Sequence, residues 1–257
     1  MNTLIVGLGE VGAAHLRVLQ SVYPCGGVDV DGVRGAIPDP VEIMHVAIRH
    51  SEDFESIVHG YMVQFSPRLV DILTTVPPGT CRALGPNVVH STTRGLHPHL
   101  DDGLRTITKH VGGLMAFEVA AYFERAGIRC VTHPRAETTE LAHLLNNIHY
   151  GVNLMWADEA AAICRAYGVD YYDVMRYTET HNAGFAALGL ASKVRPVLTP
   201  PQGRIGGHCV VAAAGMIAPR HAGSLVTMLA TYGEVKQERP IPIEQDLRSG
   251  NGAHQEA

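Results

Sequence analysis

The sequence predicts an α/β chain: a doubly wound parallel sheet at the N-terminus, followed by an all-α domain built on one long helix. Three observations carry this. The apolar run Met1–Val6 opens directly into Gly7-Leu8-Gly9-Glu10-Val11-Gly12. Short apolar runs then alternate with helical patterns as far as Val131, which implies parallel strands joined by crossovers. From Ala136 to Tyr167 there is no proline and only one glycine, while apolar residues such as Leu141, Leu144, Ile148, Val152 and Met155 recur with a helical period.

The elements follow in order. The glycine turn after the first strand leads into a helix carrying Ala13, Leu16, Val18 and Leu19, which ends before Tyr23-Pro24. Gly27-Val28-Asp29-Val30 is the second strand. Strand, GxGxxG, helix, strand and acid is the order of a Rossmann dinucleotide site. The first glycine permits the tight turn, the second admits a pyrophosphate, and the third lets helix and strand pack closely. The helix start, with Glu10 and Val11 in its first turn, offers free N–H groups to phosphate. Asp29 follows Gly12 by 17 residues, where an acid receives the ribose hydroxyls. A carboxylate there repels a 2′-phosphate, so Gly7, Gly9, Glu10, Val11, Gly12 and Asp29 are expected to bind NAD. Glu42–Ile48, Leu69–Thr75, Asn87–Ser91 and Ile128–Val131 are further strands, and Asp53–Met62 and Phe117–Ala126 are helices. The turn after Leu69–Thr75, Val76-Pro77-Pro78-Gly79-Thr80, falls at the carboxyl end of the sheet, where such folds bind ligands.

After about residue 133 the texture is helical. Tyr171–Thr180 is a helix beyond the Gly168 stop, Pro196–Gly207 is rich in glycine and proline, and Val210–Ile217 is apolar. The expected domains are 1–132, an NAD-binding Rossmann unit; 133–232, a helical unit for dimerisation and catalysis; and 233–257, a polar disordered tail. The long helix offers more apolar surface than one subunit covers, so a homodimer is expected.

Composition narrows the function. The 257 residues are 46% hydrophobic and 18% charged, as in a globular protein. The net charge of −5 gives no support to binding nucleic acid or a membrane surface. No apolar run approaches the ~18 residues that span a bilayer. The start lacks the basic region of a secretion signal, and the five cysteines (25, 81, 130, 164 and 209) form no CxxC pair. These features predict a cytoplasmic protein with reduced thiols and no zinc ribbon.

Two segments carry residues suited to chemistry. Glu137, Glu140, His143 and Asn147 share one stripe of the long helix, either a solvated face or the wall of an active site. Their spacing does not match HExxH, and no metal site is expected. Gly203-Arg204-Ile205-Gly206-Gly207-His208-Cys209 surrounds a thiol with glycines, which lets a ligand approach closely. An adjacent histidine or a helix N-terminus would turn Cys209 into a nucleophile. Arg94, His97 and Lys109 are candidates for holding an anionic substrate.

The chain resembles the UDP-glucose/GDP-mannose dehydrogenase family. The resemblance rests on Gly7–Gly12, Val28-Asp29-Val30-Asp31, Thr74-Thr75-Val76-Pro77-Pro78-Gly79-Thr80, the helix Glu140–Cys164 with Asn147, and Gly206-Gly207-His208-Cys209. It implies a role in polysaccharide biosynthesis, with a nucleotide-sugar alcohol oxidised to a carboxylate and two NAD reduced. It also implies residue roles. Cys209 forms a thiohemiacetal and then a thioester, Asn147 helps form a polar pocket near the reacting carbon, and Thr75 lies near cofactor and catalytic water. Gly206, Gly207 and His208 belong to the substrate-binding loop, and Arg94 and His97 are counted with them as substrate-binding residues. His143 stands where the family has its lysine, serving either as imidazolium or as a general base. Ala213 replaces an aspartate, and Ser91–Pro98 replaces a Pro-Glu-Phe-Leu segment. The family's third, C-terminal domain has no counterpart. His143, Asn146 and Asn147 also keep the lysine and asparagine spacing of related hydroxyacid dehydrogenases. A two-electron dehydrogenase using His143 as acid/base, or a catalytically reduced nucleotide-binding sensor or assembly subunit, therefore stands beside the nucleotide-sugar reading.

Overall fold

A computed structural model describes residues 1–95, 99–203, 205, 209–221 and 223–238. Two compact units, Met1–Leu145 and Asn146 onward, make up the chain.

The first unit holds one eight-stranded sheet. In chain order its elements are β1 (Thr3–Val6), α1 (Glu10–Leu19), β2 (Cys25–Asp29), β3 (Gly32–Arg34), β4 (Ile43–Val46), α2 (Phe54–Phe65), β5 (Leu69–Ile72), α3 (Thr80–Leu84), β6 (Val88–His90), α4 (Leu100–Thr106), β7 (Lys109–Gly112), α5 (Ala116–Arg125) and β8 (Cys130–His133). The sheet order is β3-β2-β1-β4-β5-β6-β7-β8. Strands β2, β1, β4, β5 and β6 run parallel, as the alternation predicts. Two antiparallel joints, β2–β3 and β6–β7, were not legible. β3 is a three-residue, fully exposed return of the β2 hairpin with no apolar pattern to announce it. β7 reads Lys-His-Val-Gly, whose polar start disguises a strand that is three-quarters buried.

Alternation along the strands builds two apolar layers. Ile5, Ile43, Leu69 and Val89 point to one face, where α1, α4 and α5 bury Val18, Leu19, Leu104, Val119 and Phe123. Leu4, Val6, Met44, Val46, Val70 and Ile72 point to the other, covered by Phe54 and Val58 of α2 and by Cys81 and Leu84 of α3. Each fully buried Leu, Ile or Phe contributes roughly 1.5–3 kcal/mol. From β1 the chain winds first toward β2 and then to the other side through β4. That reversal leaves a crevice at the carboxyl ends of β1 and β4.

The second unit is helical. α6 (Ala136–Ala166) is one uninterrupted 31-residue helix that begins in the first unit. Gly168, at φ 68°, ends the following turn in the left-handed region. α7 (Tyr171–Ala187) is capped by Asp170, whose side chain accepts from the amides of Tyr172 and Asp173. α8 (Val210–Ile217) and α9 (Ser224–Glu238) follow. At Gly151 an added Cβ would meet Val210 at 2.4 Å and Leu229 at 2.7 Å, so this glycine lets both α8 and α9 approach α6. α9 continues to Glu238, so residues 233–238, expected in a disordered tail, are helical; apolar Val226 and Leu229 and buried Tyr232 extend the helical pattern into them. The remainder of that stretch lies outside the described residues.

The glycine turn yields a paired prediction. A Cβ on Gly12 would lie 1.8 Å from the Gly7 carbonyl oxygen, whereas one on Gly9 meets nothing within 4 Å. Gly12→Ala should lower unfolding free energy by about 3 kcal/mol in urea titration, and Gly9→Ala by less than about 1.

Candidate active site

The glycine turn is held from within. Gly7 adopts φ 87°, and a Cβ there would strike the Ala47 carbonyl oxygen at 2.7 Å. Gly9 precedes α1 with extended backbone and open space above it, a cradle suited to a phosphate. Gly12 is buried, Val11 is half-buried against the core, and Glu10 is exposed on the first turn. Asp29 reaches back to this turn: one carboxylate oxygen accepts from the Leu8 amide, the other from the Val30 amide at 2.7 Å. Each oxygen keeps a second lone pair for a ribose hydroxyl. These residues fit a dinucleotide.

The second wall is the turn after β5. Thr74 donates to the Ile48 carbonyl at 2.7 Å, and the Thr80 hydroxyl to the Pro77 carbonyl at 2.8 Å. Gly79, at φ 100°, starts α3. The amides of Gly79 and Cys81 donate to the two oxygens of Glu140, at 2.6 and 2.8 Å. Glu140 is fully buried. It is therefore a structural clamp on α3, and Glu137, on the same stripe, pairs with Arg82 and Arg135.

One turn beyond Glu140, His143 presents Nε2 to the Thr75 hydroxyl at 3.0 Å. Burial, with the charges of Arg94 and Lys109, lowers His143 to about 4. A group held there is neutral at pH 7 in the unliganded chain, which favours acid/base work from a neutral ring over the imidazolium role. His90 supports the same turn. Burial holds it near 3; Nε2–H donates to the Thr74 carbonyl at 3.3 Å, and Nδ1 accepts from Thr139 at 2.9 Å.

The other site residues divide. Arg94 is exposed, and its guanidinium donates to the Thr108 carbonyl. Lys109, a candidate for holding substrate, is only 4% exposed and cannot meet one. Its ammonium lies 5.0 Å over the Phe123 ring of α5, away from solvent. Asn147 is half-buried on α6, in the second unit. Cys209 is exposed, immediately before α8, its carbonyl accepting from the Ala213 amide at 2.9 Å. Ala213 is fully buried, which suits the alanine standing where the resemblance has an aspartate. His97, Gly206, Gly207 and His208 lie outside the described residues. Among the described residues no group of three or more His, Cys, Asp or Glu is arranged to hold a metal, and no helix is long and apolar enough to cross a membrane.

Sequence reasoning missed a buried polar cluster. His45 and Asp71 are register partners on β4 and β5, both fully buried, with Nδ1 and carboxylate 2.8 Å apart. Ser91 donates to the other Asp71 oxygen at 2.6 Å, and the Tyr122 hydroxyl lies 2.8 Å from Thr3. The signal was present: a single polar residue holds the third position in each of two neighbouring apolar runs, Ile43-Met44-His45-Val46 and Leu69-Val70-Asp71-Ile72.

Sheet order, the glycine turn and the turn after β5 together define a Rossmann-type fold. Solved structures specify it further. UDP-D-ManNAc dehydrogenase from Pyrococcus horikoshii superposes with TM-score 0.73 at 19% identity, covering 91% of this chain and 68% of that one. The 3-hydroxyisobutyrate dehydrogenase of Mycobacterium tuberculosis, solved with L-serine, gives 0.63 at 17%, covering 93% and 94%. Psf3, solved with NADP+ and 2-OPP, gives 0.59 at 15%, covering 91% and 94%. At these identities the likeness is one of fold. No family model and no curated protein matches the sequence.

Removing the Glu140 carboxylate strands two amide donors at the α3 start. Glu140→Ala should cost about 3 kcal/mol in urea unfolding, and Glu140→Gln, which keeps one acceptor, should cost less.

Proposed function

We propose that the protein is a nicotinamide-dinucleotide-dependent oxidoreductase that oxidises an alcohol on an anionic small molecule, with a nucleotide sugar as the favoured substrate. The observation that carries this reading is the Thr75–His143 hydrogen bond, with a neutral imidazole, beside a dinucleotide-type glycine turn. The fold neighbours, a UDP-sugar dehydrogenase among them, agree with it. Gly7, Gly9 and Gly12 admit the pyrophosphate, the first turn of α1 at Glu10 and Val11 supplies amides, and Asp29 receives the ribose, favouring NAD over NADP.

The bound dinucleotide supplies the hydride acceptor. Thr75 passes its hydroxyl proton to His143 Nε2 while taking the proton of the substrate alcohol. A base held near 4 is weak for this task. Substrate charge corrects it: an anion beside Arg94 offsets the guanidinium and raises His143. The full reading adds Cys209. Its thiol would add to the aldehyde carbon, with its proton passing to the carbonyl oxygen to give a thiohemiacetal; a second bound dinucleotide would supply the acceptor for the second hydride, the hydroxyl proton leaving with it, and water would then release the acid from the thioester and restore the thiol. In this reading Asn147 is assigned to the oxyanion, and Arg94, His97, Gly206, Gly207 and His208 are assigned to the substrate on sequence grounds.

A second reading is a two-electron hydroxyacid-type oxidation. Buried Ala213 in place of an aspartate favours it, since one hydride transfer needs only Thr75 and His143.

Reduced dinucleotide formed on a panel of nucleotide sugars and hydroxy acids separates the readings. Two equivalents per substrate, abolished by Cys209→Ser, support the thioester route. One equivalent, indifferent to Cys209→Ser, supports the second reading. His143→Ala should lower kcat by on the order of 100-fold or more in either case. Dinucleotide binding with no turnover on any substrate would sink both and leave the sensor role. The acid limb of kcat/KM should lie at about 4, because the reaction needs neutral His143, and the limb of kcat should lie higher, because bound substrate raises that group.

The proposal includes a homodimer. α6, the turn that follows it and α7 leave Trp156, Tyr167 and Tyr177 more than half exposed. Sedimentation equilibrium should report twice the chain mass, and a monomer would refute this part.

A further inference from the structure

Lys109 opens β7 and is almost fully buried; in the chemistry above it enters only through its charge, which helps lower His143. Its ammonium lies 3.4 Å from His15 Nε2, 3.4 Å from the Thr92 carbonyl, and 5.0 Å over the Phe123 ring. His15 is fully buried on α1, with Nδ1 2.9 Å from the Val11 carbonyl. A carbonyl only accepts, so Nδ1 carries the proton and Nε2 offers its lone pair to the ammonium. Val11 belongs to the glycine turn. One helical turn from Val11 to His15, plus the last contact, puts the ammonium roughly 10 Å from the first-turn amides. The same groups grip the loop after β6. Thr92 meets Lys109, the Thr93 hydroxyl lies 3.5 Å from His15 Nε2, and Arg94 donates to the carbonyl of Thr108, the residue before Lys109.

We propose that Lys109 is a positioning residue: its buried ammonium fixes residues 92–94 and adds positive potential beneath the glycine turn, so its charge state controls dinucleotide affinity. The proposal rests on the reading that the glycine turn holds a nicotinamide dinucleotide.

The surroundings leave this charge poorly compensated. Asp71 on β5 is the nearest buried acid, and its oxygens are occupied by His45 of β4 and Ser91. α1 contributes neutral His15, and α5 contributes Phe123 and Tyr122, whose hydroxyl is tied to Thr3. β8 contributes Cys130, a neutral thiol pushed up to about 12, and the β6 loop contributes Arg94. Burial lowers Lys109 to about 8, with Asp71 and Cys130 opposing and Arg94 adding to the shift. The amine therefore changes charge within an accessible range, and a diphosphate bound above it favours the ammonium.

The test measures NADH affinity of the full chain by fluorescence between pH 6.5 and 9.5, for wild type, Lys109→Met and Lys109→Arg. Wild-type affinity should fall on the order of tenfold around pH 8. Lys109→Met should bind more weakly at pH 7 and show no such fall. Lys109→Arg, always charged, should keep the pH 7 affinity and lose the fall. A wild-type slope in Lys109→Met overturns the proposal. Thermal unfolding without NADH gives the companion readout. The folded value lies below the unfolded one, so the unfolded chain binds more protons between about 8 and 10.5. Wild-type stability relative to Lys109→Met should therefore rise with pH over that window while affinity falls. A purely structural lysine does not produce opposite slopes. NADH binding by no variant, with the stability slope intact, overturns the dinucleotide reading and the coupling together. Binding that ignores Lys109 overturns the coupling alone.

Discussion

The two hydrogen bonds from the backbone of Gly79 and Cys81 to buried Glu140 are the interaction on which the candidate site depends. They satisfy the free amides at the start of α3 with both oxygens of one buried side chain. They also join an early loop to a helix that begins some 60 residues later. Once that joint exists, the period of α6 brings His143 one turn onward, against Thr75. His90 reinforces it by bonding the Thr74 carbonyl on one side and Thr139 on the other. The Thr75–His143 pair is therefore positioned by backbone and buried carboxylate, with little left to side-chain freedom.

Electrostatics in this region runs against the usual expectation for histidine. His15, His90 and His143 are all held below their ordinary range, each chiefly by burial. Neutral imidazoles serve as directional donors and acceptors, and the two cations, Lys109 and Arg94, supply the field. Asp71 is the buried counter-charge, satisfied by His45 and Ser91. A polar chain of this length between a parallel sheet and its covering helices is costly unless every member is bonded. Among the described residues no buried side-chain nitrogen or oxygen lacks a partner.

The same fold in solved structures serves a UDP-sugar dehydrogenase and a hydroxyisobutyrate dehydrogenase. Fold alone does not choose between such substrates; the site does. Here the choice turns on a neutral histidine where the resembled family keeps a lysine, and on an exposed thiol in the second unit.

What the sequence determined by itself was everything set by local order. The glycine turn needs residues without Cβ at Gly7 and Gly12, and the run Gly7–Gly12 announces this directly. The parallel strands declare themselves as apolar runs because both their faces are buried, and α6 declares itself by an unbroken helical period. Asp29 was legible as an acid at the end of its strand, though its bond to the Leu8 amide was not. The tertiary structure decided whatever depends on residues far apart in the chain. The stripe Glu137, Glu140, His143 and Asn147 could face solvent or a site with the same spacing. Only packing shows that Glu140 caps α3 and that His143 meets Thr75. Lys109 read as an anion-binding side chain because charge is visible in a sequence and burial is not. The physical reason is common to all three: periodicity fixes the face on which a side chain lies, while desolvation and hydrogen-bond partners come from neighbours that the fold alone supplies.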